Sequence, residues 1–112
     1  MRLRPALLAL SAGLCALAAC APPTGDVLRG EVVSVDAAPL AYDGDALVVV
    51  RTDAGERTVH VPARINLCAA SDFPDLGTLQ PGDRVEARGE ENAEGGVTPC
   101  TSADHFFRVV AP

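Results

Sequence analysis

The feature that most constrains this sequence is a pair of strand-like segments joined by a three-residue connection. Ala46–Thr52 is a run of mostly apolar, β-branched residues, and Glu56–Val61 alternates, with its valines on one side and His60 on the other. The connection between them ends in Gly55, which suits the last position of a three-residue hairpin loop. Alternation of apolar and polar residues places one face of a strand in a core. The sequence therefore predicts an antiparallel hairpin with one buried face.

Three more segments have the composition of strands, and the stretches between them have that of loops. The three are Val27–Val35, Arg84–Gly89 and Ala103–Val110. Gly30 interrupts the first of them, which predicts a β-bulge there. The irregular stretch 62–80 is predicted to contain a short helical turn near residues 63–70, while residues 36–45 and 90–98 are predicted as loops. The result is an all-β domain of five strands, with a short helical connection between strands three and four.

Five strands with a helical segment after the third resemble the OB-fold, a small, partly open Greek-key barrel. The turn and strand at residues 79–89 also look like the entry to the fourth strand of OB-type domains. The resemblance covers most of residues 27–110 and implies that residues 27–112 form an OB-like barrel. A different small barrel or a β-sandwich is the alternative.

The first 19 residues have the composition of an export signal. Arg2 and Arg4 precede an apolar run at residues 6–19, which is too short to cross a bilayer as a helix. The run ends in Leu17-Ala18-Ala19-Cys20, which resembles the lipobox of bacterial lipoproteins. In that family the cysteine thiol is lipidated, and the cysteine becomes the first residue of the mature protein. The alternative is an ordinary secretory signal followed by a cysteine of no special role.

The lipobox resemblance implies a location and a membrane partner. Residues 1–19 would be removed as a signal peptide, Cys20 would carry the lipid, and residues 20–26 would tether the domain. Several acyl chains bind a bilayer firmly, since each buried CH₂ contributes roughly 0.8 kcal/mol. Ala21 follows the cysteine, and in the lipoprotein family a residue other than Asp at this place favours the outer membrane. The expected location is the cell envelope, on the outer membrane and facing the periplasm.

Charge argues against a nucleic-acid partner. The chain of 112 residues has 9 basic and 15 acidic side chains, and none of the basic residues is Lys. Arg2 and Arg4 lie in the signal, so the remainder has 7 Arg and a formal charge of −8 instead of −6. Such a surface repels nucleic-acid phosphates unless the arginines are clustered, and along the sequence they are scattered.

The cysteine count predicts one disulfide. Cys15 lies in the signal and Cys20 is assigned to the lipid, which leaves Cys68 and Cys100. Two remaining thiols in an exported protein most simply pair with each other. The alternative is a zinc site that adds His60 and His105, whose residue types suit tetrahedral zinc although their spacing is not that of a zinc finger.

Asp43-Gly44-Asp45 resembles a motif of the thermonuclease family, which is also built on an OB barrel. In that family the second Asp of a DGD stretch binds Ca²⁺, and Asp45 occupies this place. Ala46 stands where the family has Thr, and the segment after strand three lacks the acidic residues of the family. The resemblance implies a metal-dependent enzyme as an alternative function, with Asp43 and Asp45 as candidate Ca²⁺ ligands and no catalytic residue assigned. A wider calcium site would add Asp36 and Asp53, since Ca²⁺ needs several converging oxygens.

Ligand binding on the barrel face is the remaining candidate function. OB-type domains bind ligands across strands two and three and the adjacent loops. Tyr42 precedes strand two and His60 points outward from strand three, so both are candidates for a ligand face; Tyr42 packed as a loop plug is the alternative. We expect a non-catalytic binding or structural module of the envelope. The alternatives are the metal-dependent enzyme and an accessory subunit whose exposed strand edge pairs with a larger envelope protein.

Overall fold

The computed structural model of the protein describes residues 26–111. Within this range the chain forms seven strands and two short 3-10 helices. The strands are β1 (Leu28–Asp36), β2 (Ala46–Thr52), β3 (Gly55–Val61), β4 (Arg84–Arg88), β5 (Glu90–Glu91), β6 (Val97–Thr98) and β7 (Phe106–Val109), and the helices are η1 (Ala38–Tyr42) and η2 (Ile65–Leu67). In this part of the chain no helix has the length and apolar character needed to cross a membrane. Cys20 and the signal segment lie outside the described residues, so the lipobox stays a prediction.

The strands form one curled sheet in the order β5-β6-β3-β2-β1-β4-β7. β2 and β3 pair antiparallel along their whole length, from Ala46 opposite Val61 to Thr52 opposite Gly55. The predicted hairpin is therefore confirmed. β1 is shared between two neighbours, since residues 28–31 pair with β4 and residues 31–36 pair with β2. This double pairing bends the sheet around a single interior.

The chain itself joins β4, which is next to one end of the sheet order, to β5 at the other end. β4 continues through Gly89 into β5, β5 pairs with β6, and β6 pairs in parallel with β3 where Val97 lies opposite Val59. A Cβ atom at Gly89 would overlap the backbone of Thr98 and Pro99. A residue without a side chain is therefore required where the chain turns from β4 into β5 at the opposite edge of the sheet.

The core fills the concave side of the sheet. Strand β2 shows how the sequence directs it, because Ala46, Val48 and Val50 are fully buried and the residues between them are partly exposed. Phe107 of β7 is the largest of the fully buried side chains. The other members are small or medium-sized apolar residues: Leu28, Val32, Val59, Val61, Leu79, Val85, Ala87 and Val97. A single apolar interior of this kind is what a small all-β domain can build.

The strand content agrees with the sequence-based expectation, whereas several local details differ. The domain is all-β, and the five predicted strands are present as β1 to β4 and β7. The count of five is wrong, because residues 90–98, predicted as a loop, form the β5–β6 hairpin. η1 lies within the predicted loop at 36–45, and η2 is a single 3-10 turn within the predicted helical connection. The bulge of β1 lies between Val32 and Ser34 instead of at Gly30.

Candidate functional site

The candidate site lies at the end of the sheet where β2 begins and β3 ends. η1 leads into β2, and η2 follows β3, so both helices leave the sheet at this end. We call it the distal end, defined by residues 36–45 and 62–68. Val27 lies at the other end, where it lines a cleft with the β2–β3 turn. β2 separates the two ends by about 20 Å, since a strand rises roughly 3.3 Å per residue.

An ion pair connects the two helices of the distal end. Asp43 follows η1 and Arg64 precedes η2, and a guanidinium nitrogen of Arg64 lies 3.0 Å from a carboxylate oxygen of Asp43. Asp43 has a left-handed backbone with φ 60°, a conformation that Asp tolerates better than most residues. Both side chains are about two-thirds exposed, and exposed pairs contribute only about 0–1 kcal/mol. The pair therefore matters here for the position of the two helices more than for stability.

Asp45 and His60 form a second pair beside the first. The Nδ1 atom of His60 lies 3.9 Å from a carboxylate oxygen of Asp45, and the imidazole is about one-quarter exposed. His60 points away from the core, as the alternation of β3 predicts, and its ring covers Gly96 of the β5–β6 hairpin. The structure thus brings both candidate aspartates and His60 to one end of the sheet.

The wider calcium set does not assemble. Asp53 lies in the β2–β3 turn at the opposite end, and Asp36 accepts a hydrogen bond from the Ala38 backbone N–H at 3.1 Å. Across residues 26–111, no group of three or more His, Cys, Asp or Glu side chains is placed to hold a metal ion. A four-aspartate site is therefore wrong, whereas Ca²⁺ binding by Asp43 and Asp45 stays a prediction.

The alternative of a zinc site loses its two cysteine ligands. Cys68 and Cys100 form a disulfide with a Cα–Cα distance of 4.6 Å, so neither offers a thiolate to a metal. His105 is buried beside Cys100, and its Nδ1 atom accepts hydrogen bonds from the backbone N–H groups of Cys100 and Ser102. His105 thus supports the backbone of the loop before β7 and points to no ligand.

Exposed apolar side chains are the most unusual feature of the distal end. Of the four large apolar residues that are exposed within the described chain, three lie here: Tyr42 at 88%, Leu67 at 71% and Ile65 at 40%. Tyr42 is therefore not a loop plug. The disulfide at Cys68 holds the backbone directly after Leu67, so this exposure belongs to a fixed part of the chain.

An open cleft of about 390 Å³ borders η2 and adds concave surface to the distal end. Its lining is Ile65, Asn66, Cys68, Ala70, Ser71 and Phe73. Sequence reasoning proposed Tyr42 and His60 for a ligand face but missed Ile65 and Leu67. Their only signal is two apolar residues on either side of Asn66 in an otherwise irregular connection.

No protein-family model, curated protein or solved structure matches this chain. Function is therefore inferred from the chain's own residues. The structure gathers three features at the distal end. They are the exposed aromatic and aliphatic side chains, the Asp43–Arg64 and Asp45–His60 pairs, and the adjoining cleft. Exposed aromatic and aliphatic groups beside charged groups are typical of surfaces that bind another molecule.

The loop between Cys100 and β7 contains Asp104, whose side-chain pKa is lowered in the folded protein. The Ser102 hydroxyl donates a hydrogen bond to the Asp104 carboxylate, which holds the pKa of Asp104 below its ordinary value although the side chain is fully exposed. Because the pKa of Asp104 is lower in the folded protein than in the unfolded chain, the hydrogen bond stabilises the fold above the ordinary Asp pKa. This contribution to stability is lost as pH falls through the pKa of the folded protein. Ser102→Ala should move the pKa of Asp104 back toward its ordinary value. NMR titration of the Asp104 carboxyl carbon in both proteins measures this, and identical titration midpoints would contradict it.

Proposed function

We propose that the protein is a lipid-anchored module of the bacterial cell envelope that binds another envelope component without catalysis. The observation that carries this proposal is the exposure of Tyr42, Ile65 and Leu67 at the end of the domain away from Val27. Three of the four exposed large apolar side chains of residues 26–111 lie at this one end, and concentration of exposed apolar groups is typical of a binding surface. The lipobox pattern that ends in Cys20 supplies the location.

We further propose that the curled sheet is an OB-like barrel. Two pairings support this interpretation: β1 pairs with both β2 and β4, and β3 pairs in parallel with a strand that follows β4. In this interpretation β4 and β5 are one strand bent at Gly89, and β6 and β7 share the place of the fifth strand. The seven strands then reduce to the five of a partly open Greek-key barrel.

The anchor and the surface are compatible in geometry. Six residues separate Cys20 from Val27, and an extended chain covers at most about 3.6 Å per residue, or roughly 20–25 Å in all. The end of the sheet that holds Val27 and the β2–β3 turn would therefore stay close to the bilayer. The distal end lies about 20 Å away along β2, so a soluble domain of another protein in the periplasm could reach it.

Substitution of the proposed lipidation site tests the anchor. The full chain, expressed in a bacterium with lipoprotein processing, should be cleaved before Cys20 and carry acyl chains in its intact mass. Cys20→Ser should remove the acyl chains entirely, because the thiol is the group that is alkylated. Cys15→Ser is the matched control, since it removes a nearby cysteine of the same segment and should leave acylation unchanged. Unmodified Cys20 in the parent protein, or cleavage at another site, would overturn the proposal.

A further inference from the structure

We propose that the distal end docks a segment of another envelope protein in which an apolar side chain lies beside Arg or Lys. Tyr42, Ile65 and Leu67 would contact the apolar group, and the carboxylates of the distal end would contact the basic one. This inference rests on the proposed function, which supplies the compartment in which the partner is found. The surface itself depends on no feature of the N-terminal segment.

The three apolar residues lie near one junction of the chain. Tyr42 is the neighbour of Asp43 in the chain, and Ile65 is the neighbour of Arg64, and the side chains of Asp43 and Arg64 meet at 3.0 Å. The ion pair therefore brings the end of η1 beside the start of η2. Leu67 lies on the same 3-10 turn as Ile65, so all three side chains lie at or beside this junction.

The surface is held in place before any partner arrives. η1 is closed by the N–H of Gly44, which donates to the carbonyl of Pro39 at 2.9 Å. η2 is followed by the disulfide and by the Ala70 N–H, which donates to the Cys100 carbonyl at 3.0 Å. Ordering of loops on binding costs free energy, and a surface that is already ordered avoids much of that cost. Tyr is also among the residues that contribute most to binding free energy at interfaces.

Charge selects the partner. The distal end carries the carboxylates Asp36, Asp43 and Asp45, and Arg64 is its only Arg. The chain after the signal has a formal charge of −8. A basic segment is attracted to such a surface, whereas an acidic segment is repelled. A twofold contact with a second copy would bring the same carboxylates face to face, which disfavours self-association.

Charge argues against a lipid surface as the occupant. Anionic headgroups would be repelled by the acidic residues of the distal end. A basic protein segment in the periplasm does not meet this obstacle.

Selection from a random peptide library displayed on phage tests the proposal. The full chain is expressed in a bacterium with lipoprotein processing, and the protein is purified from whole cells in detergent, so that acylated and unacylated protein are both recovered. Enriched peptides should combine a large apolar residue with an adjacent Arg or Lys, and amide NMR shifts caused by one such peptide should centre on Tyr42 and residues 64–68. Enrichment of acidic peptides, no enrichment over detergent alone, or shifts centred elsewhere would overturn the proposal.

Matched variants separate the surface from general effects on the fold. Leu67→Ser should lower the affinity for the selected peptide by about tenfold, as expected for an interface residue that contributes more than 1 kcal/mol to binding. Val109→Ser is the control, because Val109 is also an exposed apolar residue, at 48%, but lies on β7. Equal effects of the two changes, or no effect of Leu67→Ser, would reject the surface.

A charge variant and two further measurements complete the test. Asp36→Asn with Asp45→Asn removes two charges, while the new amide side chain at position 36 keeps an oxygen that can accept the Ala38 N–H. Affinity should therefore fall at low salt and match the parent protein at high salt. The protein should not bind vesicles of anionic lipid through the distal end. Vesicle binding that is lost in Leu67→Ser would overturn the proposal of a protein partner. Intact mass of the same sample reports acylation separately, so a failed anchor with retained peptide binding is distinguishable from a failed surface.

Discussion

Replacement of Cys68 and Cys100 by alanine should lower the free energy of unfolding by about 3–4 kcal/mol. The two residues are 32 positions apart, so the disulfide closes a loop that contains β4, β5 and β6. The crosslink restricts the unfolded chain, and its loss restores that conformational entropy. It also joins the connection after η2 to the segment before β7 in the folded protein. A chain this small has little other stability to lose, since folded domains are stable by only about 5–15 kcal/mol.

Urea denaturation of three samples measures the effect: the oxidised parent protein, the reduced parent protein and the double alanine variant. The reduced parent is the matched control, and it should unfold at nearly the same urea concentration as the variant. If the crosslink acts chiefly on the unfolded chain, the variant should also have a larger dependence on urea, because its unfolded state is less compact. Equal unfolding midpoints for the oxidised parent and the variant would contradict the expected role.

Local patterns were sufficient to predict the hairpin and the buried face of β3. Its valines alternate with polar residues, and Gly55 ends a connection of hairpin length, so the pairing partner lies a few residues away in the chain. The disulfide was likewise predictable, because a count of cysteines needs no three-dimensional information. Both predictions depend on residues that are close in sequence or few in number.

The β5–β6 hairpin was not predictable in this way. Each strand has two residues, which is too short for alternation to be visible. Its position depends on the close approach of Gly89 to the backbone of Thr98. Nothing in the surrounding Glu, Asn and Gly residues distinguishes that arrangement from a loop. The strand pairing comes from tertiary packing, which overrides weak local preference.

In the candidate site, too, single residues were predictable from the sequence and their spatial arrangement was not. Tyr42, Asp43 and His60 were named because their residue types suggest binding, and the structure places them at one end of the sheet. The pairing of Asp43 with Arg64 was missed, since it joins residues 21 positions apart and needs the left-handed backbone at Asp43. The exposure of Leu67 was missed because an apolar residue is expected in the core unless the fold shows otherwise.

Gly30 is the position where one added methyl group should have the largest effect on the sheet. It lies in the part of β1 that pairs with β4, opposite Val85. A Cβ atom there would overlap the carbonyl of Arg51 and approach the Val50 side chain at 2.9 Å. The first obstacle is backbone of β2, which cannot rotate away as a side chain can. Gly30→Ala should therefore cost about 3 kcal/mol or more, at the upper end of the range for overpacked positions.

Gly77→Ala is the matched control for this change. Its new Cβ atom would meet only the exposed Asp75 carboxylate, at 3.2 Å. That carboxylate accepts the Gly77 N–H at 2.9 Å and needs to shift by only a few tenths of an ångström, so a loss of less than about 1 kcal/mol is expected. Thermal and urea unfolding of both variants would measure the difference, and similar losses would contradict the steric explanation. The prediction of a bulge at Gly30 was wrong, since the bulge of β1 lies between Val32 and Ser34. β1 nevertheless needs glycine at this position, because the Arg51 carbonyl of β2 occupies the place of a Cβ atom where β1 changes its pairing from β4 to β2.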